Sequence, residues 1–277
     1  MAAESNTALK SDMIVDFHTH FYPEKIAEKA LSAVAGIPGM VPCTDGTLNG
    51  LIVSMRNAKI DISVGLPLAN TAENVHGVNR WAALHNKLPV ILTGSIHPDT
   101  PEPEKVIRWI AGLGLKGIKV HPEYQNFRFS ERRLDPIWQA CIDCGLFVIT
   151  HAGADINFQP PFRSNPAELA DFHRRFPELK LILAHLGSWG MWDEVDKHLT
   201  GLPVYFDTAF IPGYLTPGKT ADIIRRHGPD KILFGSDSPW RDQAEAVQFI
   251  KKLPLSQEEQ EKIFYKNAAG LLGLEKY

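Results

Sequence analysis

The stretch LKGIKVHPEYQNFRFSERRLDPIWQACIDCGLFVITH, residues 115–151, shows the pattern that decides the fold. It holds two short apolar runs, near Ile118 and Val148, and a segment of helical periodicity at Glu131–Cys144 lies between them. Runs that are nearly continuous in apolar residues are typical of parallel strands covered on both faces. A histidine directly follows each run. The stretch therefore predicts a strand–helix–strand unit with an imidazole at the end of each strand.

The same alternation extends along the rest of the chain. Further apolar runs predict strands near Ile14, Ile62, Ile91, Ile182, Val204 and Leu233. Helical patterns accompany them at Pro23–Ala35, Gly46–Ala58, Ala72–Lys87, Glu102–Ala111, Pro166–Phe176, Met191–Leu199, Lys219–His227 and Gln243–Lys252. Eight such units predict an α/β fold, a single (β/α)8 TIM barrel, followed by a C-terminal helix that Ser256 caps. A doubly wound open sheet is the alternative.

Length and composition bound the domain organisation and the class of protein. A chain of 277 residues allows two ordinary domains or one barrel of about 250 residues. The strand signals favour the barrel, so we assign residues 1–12 to an N-terminal tail and residues 13–277 to one domain. A composition of 44% hydrophobic and 22% charged residues excludes disordered and fibrous classes.

Charge, hydropathy and cysteine count exclude several partners. The net charge is −3 and the sequence has no strongly basic cluster, so we expect no nucleic-acid partner. It has neither an apolar run of about 18 residues nor an apolar signal-peptide segment, which predicts a cytoplasmic protein without a membrane partner. Three cysteines are too few for a disulfide scaffold, and Cys141 and Cys144 are interpreted as core residues.

Histidines and aspartates concentrate at the predicted strand ends. Six histidines directly follow strands, namely His18, His20, His97, His121, His151 and His185. Asp207 and Asp237 close the seventh and eighth strands, whereas the other five histidines fall in predicted helices. In a TIM barrel the carboxyl ends of the strands meet at one face, so these groups should converge. Two imidazoles with a carboxylate are typical ligands of a divalent metal ion.

At these residues the chain resembles the amidohydrolase superfamily, specifically its amidohydrolase-related (type 2) branch of TIM-barrel metal-dependent hydrolases. The motifs are D-F-H-T-H at Asp16, G-I-K-V-H-P at Gly117, T-H-A-G at Thr150, L-A-H-L-G at Leu183, G-S-D-S-P-W at Gly235 and Y-K-N-A-A-G-L-L at Tyr265. The resemblance implies that one divalent ion, expected to be zinc, is bound by His18, His20, His151 and Asp237. Manganese, iron and nickel are the alternatives. It also implies that His185 is a catalytic histidine beside the metal.

The expected reaction is hydrolysis of an amide, lactone or ester of a small molecule by a metal-activated water. Asp237 would act as general base, and His185 would stabilise the oxygen on which charge develops. Relatives in the same branch use an equivalent ligand set for non-oxidative decarboxylation of aromatic or enol acids, which is the first alternative. The compact chain favours hydrolysis. A barrel that binds metal or ligand without catalysis is the second alternative.

Several other residues are candidates for the substrate pocket. Lys119 lies where dinuclear relatives carry a carbamylated lysine that bridges two metals; we expect an unmodified lysine in the barrel interior and a mononuclear site. The remaining pocket candidates are His121, Tyr124, Phe158, Arg163 and Trp240, with His97, Glu123, Phe162, Trp189 and Arg241 as further ones. An arginine near aromatic rings would suit a planar carboxylate. The sequence leaves substrate identity and a homo-oligomeric state open.

Overall fold

The computed structural model describes residues 13–34, 37 and 40–274, so the predicted tail at residues 1–12 lies outside the described residues. Its strands are β1 (Val15–Thr19), β2 (Ile62–Gly65), β3 (Val90–Leu92), β4 (Gly94–Ser95), β5 (Gly117–Val120), β6 (Phe147–Thr150), β7 (Leu181–Leu183), β8 (Tyr205–Asp207) and β9 (Ile232–Leu233). Successive strands pair in chain order except β3 and β4, and every pair is parallel. All eight predicted strand regions are present.

Helices occupy the connections between the strands, as the periodicity predicts. They are α1 (Glu24–Ser32), α2 (Leu48–Ala58), α3 (Val75–His85), α4 (Pro103–Gly112), α5 (Asp135–Asp143), α6 (Pro166–Arg175), α7 (Trp192–His198), α8 (Pro217–His227) and α9 (Gln243–Lys251). The predicted C-terminal helix is divided into α10 (Gln257–Glu261), a π-helical turn at Lys262–Lys266 and α11 (Asn267–Leu272). Ser256 caps it in a reciprocal capping box with Glu259.

Backbone hydrogen bonds connect the two ends of the strand series. The strands form one sheet of β1 to β3 and another of β4 to β9, and only Thr93 separates β3 from β4 along the chain. At the other junction, the N–H of Phe17 donates to the carbonyl of Phe234 at 2.7 Å, and the N–H of Asp237 donates to the carbonyl of His18 at 2.9 Å. The fold is a TIM barrel, and the open-sheet alternative is wrong.

The predicted third strand is interrupted at Thr93 because a buried side chain from α3 enters there. Asn79 accepts a hydrogen bond from the N–H of Ser95 at 3.0 Å and donates to the carbonyl of Ser95 at 2.7 Å. A Cβ atom at Gly94 would lie 2.6 Å from the Asn79 Oδ1 atom, so glycine is needed for this approach. The polar side chain thus replaces part of the strand ladder.

Apolar residues fill the barrel interior beneath the strand ends that carry the polar groups. The Phe17 and Phe147 ring centroids are 5.4 Å apart, although β1 and β6 are not neighbouring strands, so this contact crosses the interior. The same cluster includes Val15, Ile62, Val64, Ile149, Ile182 and Leu233, and α11 contributes Ala268, Ala269 and Leu272 to it. A packed interior gives the loops at the barrel mouth a rigid base.

Candidate metal centre and active site

Three predicted ligands converge at the carboxyl end of β1. His18 Nε2 lies 3.2 Å from His20 Nε2, and Asp237 Oδ1 lies 3.5 Å from the former and 3.2 Å from the latter. His18 and Asp237 are buried, and His20 is nearly so. We call His18, His20 and Asp237 the donor triad. Zinc bonds of 2.0–2.1 Å in a tetrahedral arrangement place donor atoms about 3.3 Å apart, which matches these separations.

Hydrogen bonds fix both imidazoles of the donor triad so that their lone pairs face Asp237. His18 Nδ1 donates to Asp207 Oδ2 at 2.7 Å, and His20 Nδ1 donates to the Leu66 carbonyl at 3.2 Å. Because neither acceptor has a proton to give, the neutral form of each ring, which is the form that binds a metal, carries its lone pair on Nε2. Two lone pairs 3.2 Å apart repel each other, and a cation between them removes the repulsion. The donor set therefore fits a divalent metal ion.

In a second imidazole pair, His151 and His185, one nitrogen of each ring also donates to a backbone carbonyl and leaves the other nitrogen free. His185 Nδ1 donates to the Ala209 carbonyl at 2.9 Å, and His151 Nε2 donates to the Ala154 carbonyl at 3.0 Å. The remaining nitrogens, His185 Nε2 and His151 Nδ1, face each other at 3.1 Å. The His185 ring centroid lies 5.4 Å from that of His18, so this pair adjoins the donor triad.

The chain turns sharply at both predicted catalytic residues. His185 has φ +62° and Asp237 has φ +73°, conformations that residues other than glycine rarely adopt. Asp207 holds the first turn, because its Oδ1 atom accepts from the N–H groups of His185 at 2.9 Å and Ala209 at 3.0 Å. Gly235 makes room for the second, since a Cβ atom there would lie 2.9 Å from the Cβ of His18. Strained backbone of this kind clusters at functional sites.

His151 also belongs to a second group, which we call the outer group: His121, His151 and Asp155. The Asp155 carboxylate lies 3.4 Å from His121 Nε2. The His121 and His151 rings stack in near-parallel planes at 12°, with centroids 4.3 Å apart. An imidazole lone pair lies in the ring plane, so two stacked rings cannot both direct theirs at one ion. His18 and His20, at 71°, do converge. The geometry thus favours the donor triad as the metal site.

Burial controls the protonation of the site. It lowers the pKa of His151 and of His185 to about 3 and that of His121 to about 4, so these imidazoles are neutral at pH 7. Burial would raise the pKa of Asp237, but the neighbouring His18 and His20 lower it well below its ordinary value. Neutral imidazoles and an ionised carboxylate are the forms that bind metals.

Lys119 brings a positive charge to the same region. Burial lowers its pKa to about 8, and the nearby Asp237 and Asp207 carboxylates oppose a larger decrease. The amine therefore remains mostly protonated at pH 7. Its carbon chain is buried, and the residue lines the cavity above the donor triad. This location agrees with the prediction of a lysine in the barrel interior.

A cavity of about 680 Å³ opens at the donor triad. It is also lined by the pocket candidates Lys119, His121, Tyr124, Trp189 and Trp240 and by His151 and His185. Within the described part of the chain, the lining does not include Phe158 or Arg163, in contrast to the prediction. Arg163 is paired with Glu123 instead, whose carboxylate lies 3.6 Å from Arg163 Nε. Phe158 instead packs edge-on against Tyr124, at 5.2 Å between centroids.

The other pocket candidates from the sequence also have structural partners. His97 Nδ1 accepts from the N–H of Asp99 at 3.2 Å. The Phe162 carbonyl accepts from Arg128 Nη1 at 3.4 Å. The Arg241 guanidinium lies 4.1 Å from the centroid of Phe210 and thereby supports a cavity wall from behind.

Two important residues were missed by reasoning from the sequence. The sequence places Asp207 at a strand end, but only the structure shows that it orients His18 and His185. Asp155 was not recognised because it lies four residues after His151 in a loop, where periodicity carries no information. Asp207 could have been found, since an aspartate that ends a barrel strand opposite an H-x-H motif is placed to bind imidazole N–H groups.

Comparison with known proteins gives a match to one family and to its fold. The model of the Amidohydrolase family matches residues 15–274. A search of curated proteins found no significant match. None of the helices in the described part of the chain meets the length and hydropathy of a membrane span.

Three of the similar solved structures are those of decarboxylases. 5-Carboxyvanillate decarboxylase from Sphingomonas paucimobilis is 15% identical, with a TM-score of 0.71, over 94% of this chain and 99% of that chain. 2,6-Dihydroxybenzoate decarboxylase from Rhizobium is 16% identical, with a TM-score of 0.68, over 95% and 99%. The 5-carboxyvanillate decarboxylase of Novosphingobium aromaticivorans, complexed with manganese and 4-hydroxy-3-methoxy-5-nitrobenzoic acid, is 15% identical, with a TM-score of 0.69, over 96% and 100%. At these identities the likeness shows the fold.

Proposed function

The chain belongs to the Amidohydrolase family and is an enzyme, and from this premise we propose that it removes carbon dioxide non-oxidatively from a small aromatic or enol carboxylic acid. One observation carries the proposal: the cavity joins a metal donor set and a buried cation to a largely apolar wall. The sequence favoured hydrolysis because the chain is compact. The decarboxylase relatives align over 99% or more of their chains, so compactness does not separate the two reactions.

In this proposal the donor triad holds one divalent ion, with His151 as the proposed fourth ligand. When bound, the ion supplies Lewis-acid chemistry that polarises substrate oxygens. Zinc and manganese both accept such a set of imidazole and carboxylate donors. Asp207 and the Leu66 carbonyl keep the two triad imidazoles in the tautomer that binds a metal.

The chain's own residues then favour loss of carbon dioxide. The protonated Lys119 amine attracts the carboxylate into the cavity. The apolar wall solvates that charge poorly, so the charged acid is destabilised relative to neutral carbon dioxide. When the carbon–carbon bond breaks, its electron pair stays on the ring carbon, which must take a proton. His185 Nε2 faces this space and is the proposed carrier. Because its lowered pKa keeps His185 neutral at pH 7, it would take up a proton from water only transiently and pass it at once to the ring carbon.

The test is to load the purified protein with zinc or manganese and incubate it with hydroxybenzoates labelled with ¹³C in the carboxyl group. We expect labelled carbon dioxide and, in deuterated water, one deuterium on the product ring at the position that carried the carboxyl group. Metal-dependent release that is lost in His185→Gln would support the assignment. Absence of release across ortho- and para-hydroxylated acids by the metal-loaded protein would contradict it.

Hydrolysis remains the second candidate because Asp237 Oδ1 lies beside both triad imidazoles, where a carboxylate is placed to take a proton from an attacking water. The same preparation should be offered aryl esters and lactones. Metal-dependent cleavage without carbon dioxide release would favour this reaction, and Asp237→Asn assayed at saturating metal should then reduce the rate at saturating substrate more than it changes KM.

A further inference from the structure

The cavity has an apolar part that extends beyond the groups needed for chemistry. Besides the strand ends, it is lined by Ile26, Ala30 and Ala33 from α1 and its C-terminus and by Val78 and Trp81 from α3. We call the space beside these five residues the apolar arm. It belongs to the same cavity as the donor triad, so a molecule bound at the triad has direct access to it.

The α1 side of the apolar arm follows from the helix pattern. Ile26, Ala30 and Ala33 are spaced by four and three residues, so they lie on one helix face. Ala27 faces the core instead and is buried. The Ile26 side chain on α1 is large and apolar, yet 48% of it remains exposed. Small side chains at 30 and 33 leave room that larger ones would fill.

The α3 side is held firmly in place. Trp81 packs against Phe21, with ring centroids 5.4 Å apart, and Phe21 is itself buried beside β2. The five side chains of the apolar arm carry no charge, and the Trp81 indole N–H is their one polar group. A substituent that enters the arm would therefore exchange water for an apolar surface.

The volume of the cavity exceeds the needs of a single-ring acid. A hydroxybenzoate has ten non-hydrogen atoms, seven carbons and three oxygens. Even at about 30 Å³ for each, the share of one water molecule in the liquid, it occupies less than half of the available space. The cavity offers about 680 Å³. Cavities of roughly 300–1,000 Å³ commonly enclose larger ligands with one polar end.

We propose that the substrate carries an apolar substituent at least as large as a phenyl ring, which lies in the apolar arm while the reacting carboxyl group lies at the donor triad. The identity of the reacting group rests on the proposed function. The substituent rests on the shape and composition of the arm. α1 and α3 are thus specificity elements, because their inner faces decide which carboxylic acids bind.

Binding of salicylate, 4-phenylsalicylate and 5-phenylsalicylate to the zinc-loaded protein, measured by isothermal titration calorimetry, tests this proposal. We expect at least one phenyl derivative to bind about tenfold more tightly than salicylate, because it buries an additional ring. Ala33→Trp should fill the arm and reduce that preference to less than about threefold. Ala33 is exposed to solvent, so the variant should fold, which thermal unfolding verifies.

Ala167→Trp is the matched control, since Ala167 is an exposed alanine on α6 that does not line the cavity. This variant should keep the full preference for the phenyl derivative. Equal binding of the three acids to the wild type, binding of none, or an undiminished preference in Ala33→Trp would overturn the proposal. Calorimetry tests the apolar arm separately from the proposed reaction. Preferential binding of a phenyl derivative without carbon dioxide release would contradict decarboxylation but support the arm. Release of carbon dioxide from salicylate without a preference for a phenyl derivative would support decarboxylation but contradict the arm.

Discussion

The donor triad and the outer group contain the same residue types, two histidines and one aspartate, but they differ in how the chain holds them. In the donor triad, the two rings are inclined at 71° and their free nitrogens lie 3.2 Å apart. In the outer group, His121 and His151 stack at 12°, and Asp155 comes from a loop. The donor triad has buried acceptors behind its imidazoles, including Asp207. Composition alone therefore does not define a metal site; ring orientation and supporting hydrogen bonds do.

Replacing the aspartate of each group with asparagine tests this difference directly and gives the largest expected effect on metal affinity and turnover. Asp237→Asn removes the charge of the donor triad, so we expect metal affinity and turnover to fall by about 1,000-fold or more. Asp155→Asn leaves the triad intact and should reduce turnover by less than about tenfold. Metal content by mass spectrometry and initial rates measure both. A similar loss of metal in both variants would contradict the assignment of the metal to the triad.

Metal removal should distinguish the donor triad from the outer group by its effect on thermal stability. A ligand at 100 times its Kd stabilises a folded protein by about 2.7 kcal/mol, and chelation removes this contribution. We therefore expect a chelator to lower the Tm of the wild type and of His121→Ala. His18→Ala should have a low Tm in both conditions, because it has lost a metal ligand. Thermal unfolding with and without chelator makes the comparison. A chelator-dependent shift retained by His18→Ala would count against the donor triad.

Asp207→Asn should have the next largest effect, because it weakens the support of the triad without removing a ligand. The amide can still accept from the N–H of His185, but it no longer presents a carboxylate to His18. Loss of such a partner costs about 10- to 100-fold in metal affinity. Competitive metal titration provides the measurement. A metal affinity equal to that of the wild type would show that the hydrogen bond from His18 to Asp207 does not affect metal binding by His18.

The comparison also explains what could be predicted from the sequence. The barrel, His18, His20 and Asp237 are encoded locally, since the alternation of strands with helices and the histidines and aspartates near most strand ends are visible in one dimension. Asp155 is not, because a loop has no periodicity to place its side chain. The Arg163–Glu123 pair is equally invisible: an arginine after a strand gives no sign that a buried carboxylate 40 positions earlier will bind it. Similarly, the division between β3 and β4 depends on Asn79, which comes from a different element.

The smallest expected effect concerns the contact that joins the loop of the outer group to the barrel mouth. The Tyr124 hydroxyl accepts a hydrogen bond from Asn157 Nδ2, and the Tyr124 ring packs on Phe158, so this tyrosine connects the β5–α5 connection to the loop that carries Asp155. Tyr124→Phe keeps the ring and removes the hydroxyl, and a hydrogen bond of this type contributes about 1 kcal/mol. We expect a change of less than about threefold in KM and no change in metal content, because the donor triad does not depend on the loop. Steady-state kinetics of the metal-loaded variant measure this. If Tyr124→Phe instead lost metal, the two groups would be one coupled site, and the contrast between the donor triad and the outer group would fail.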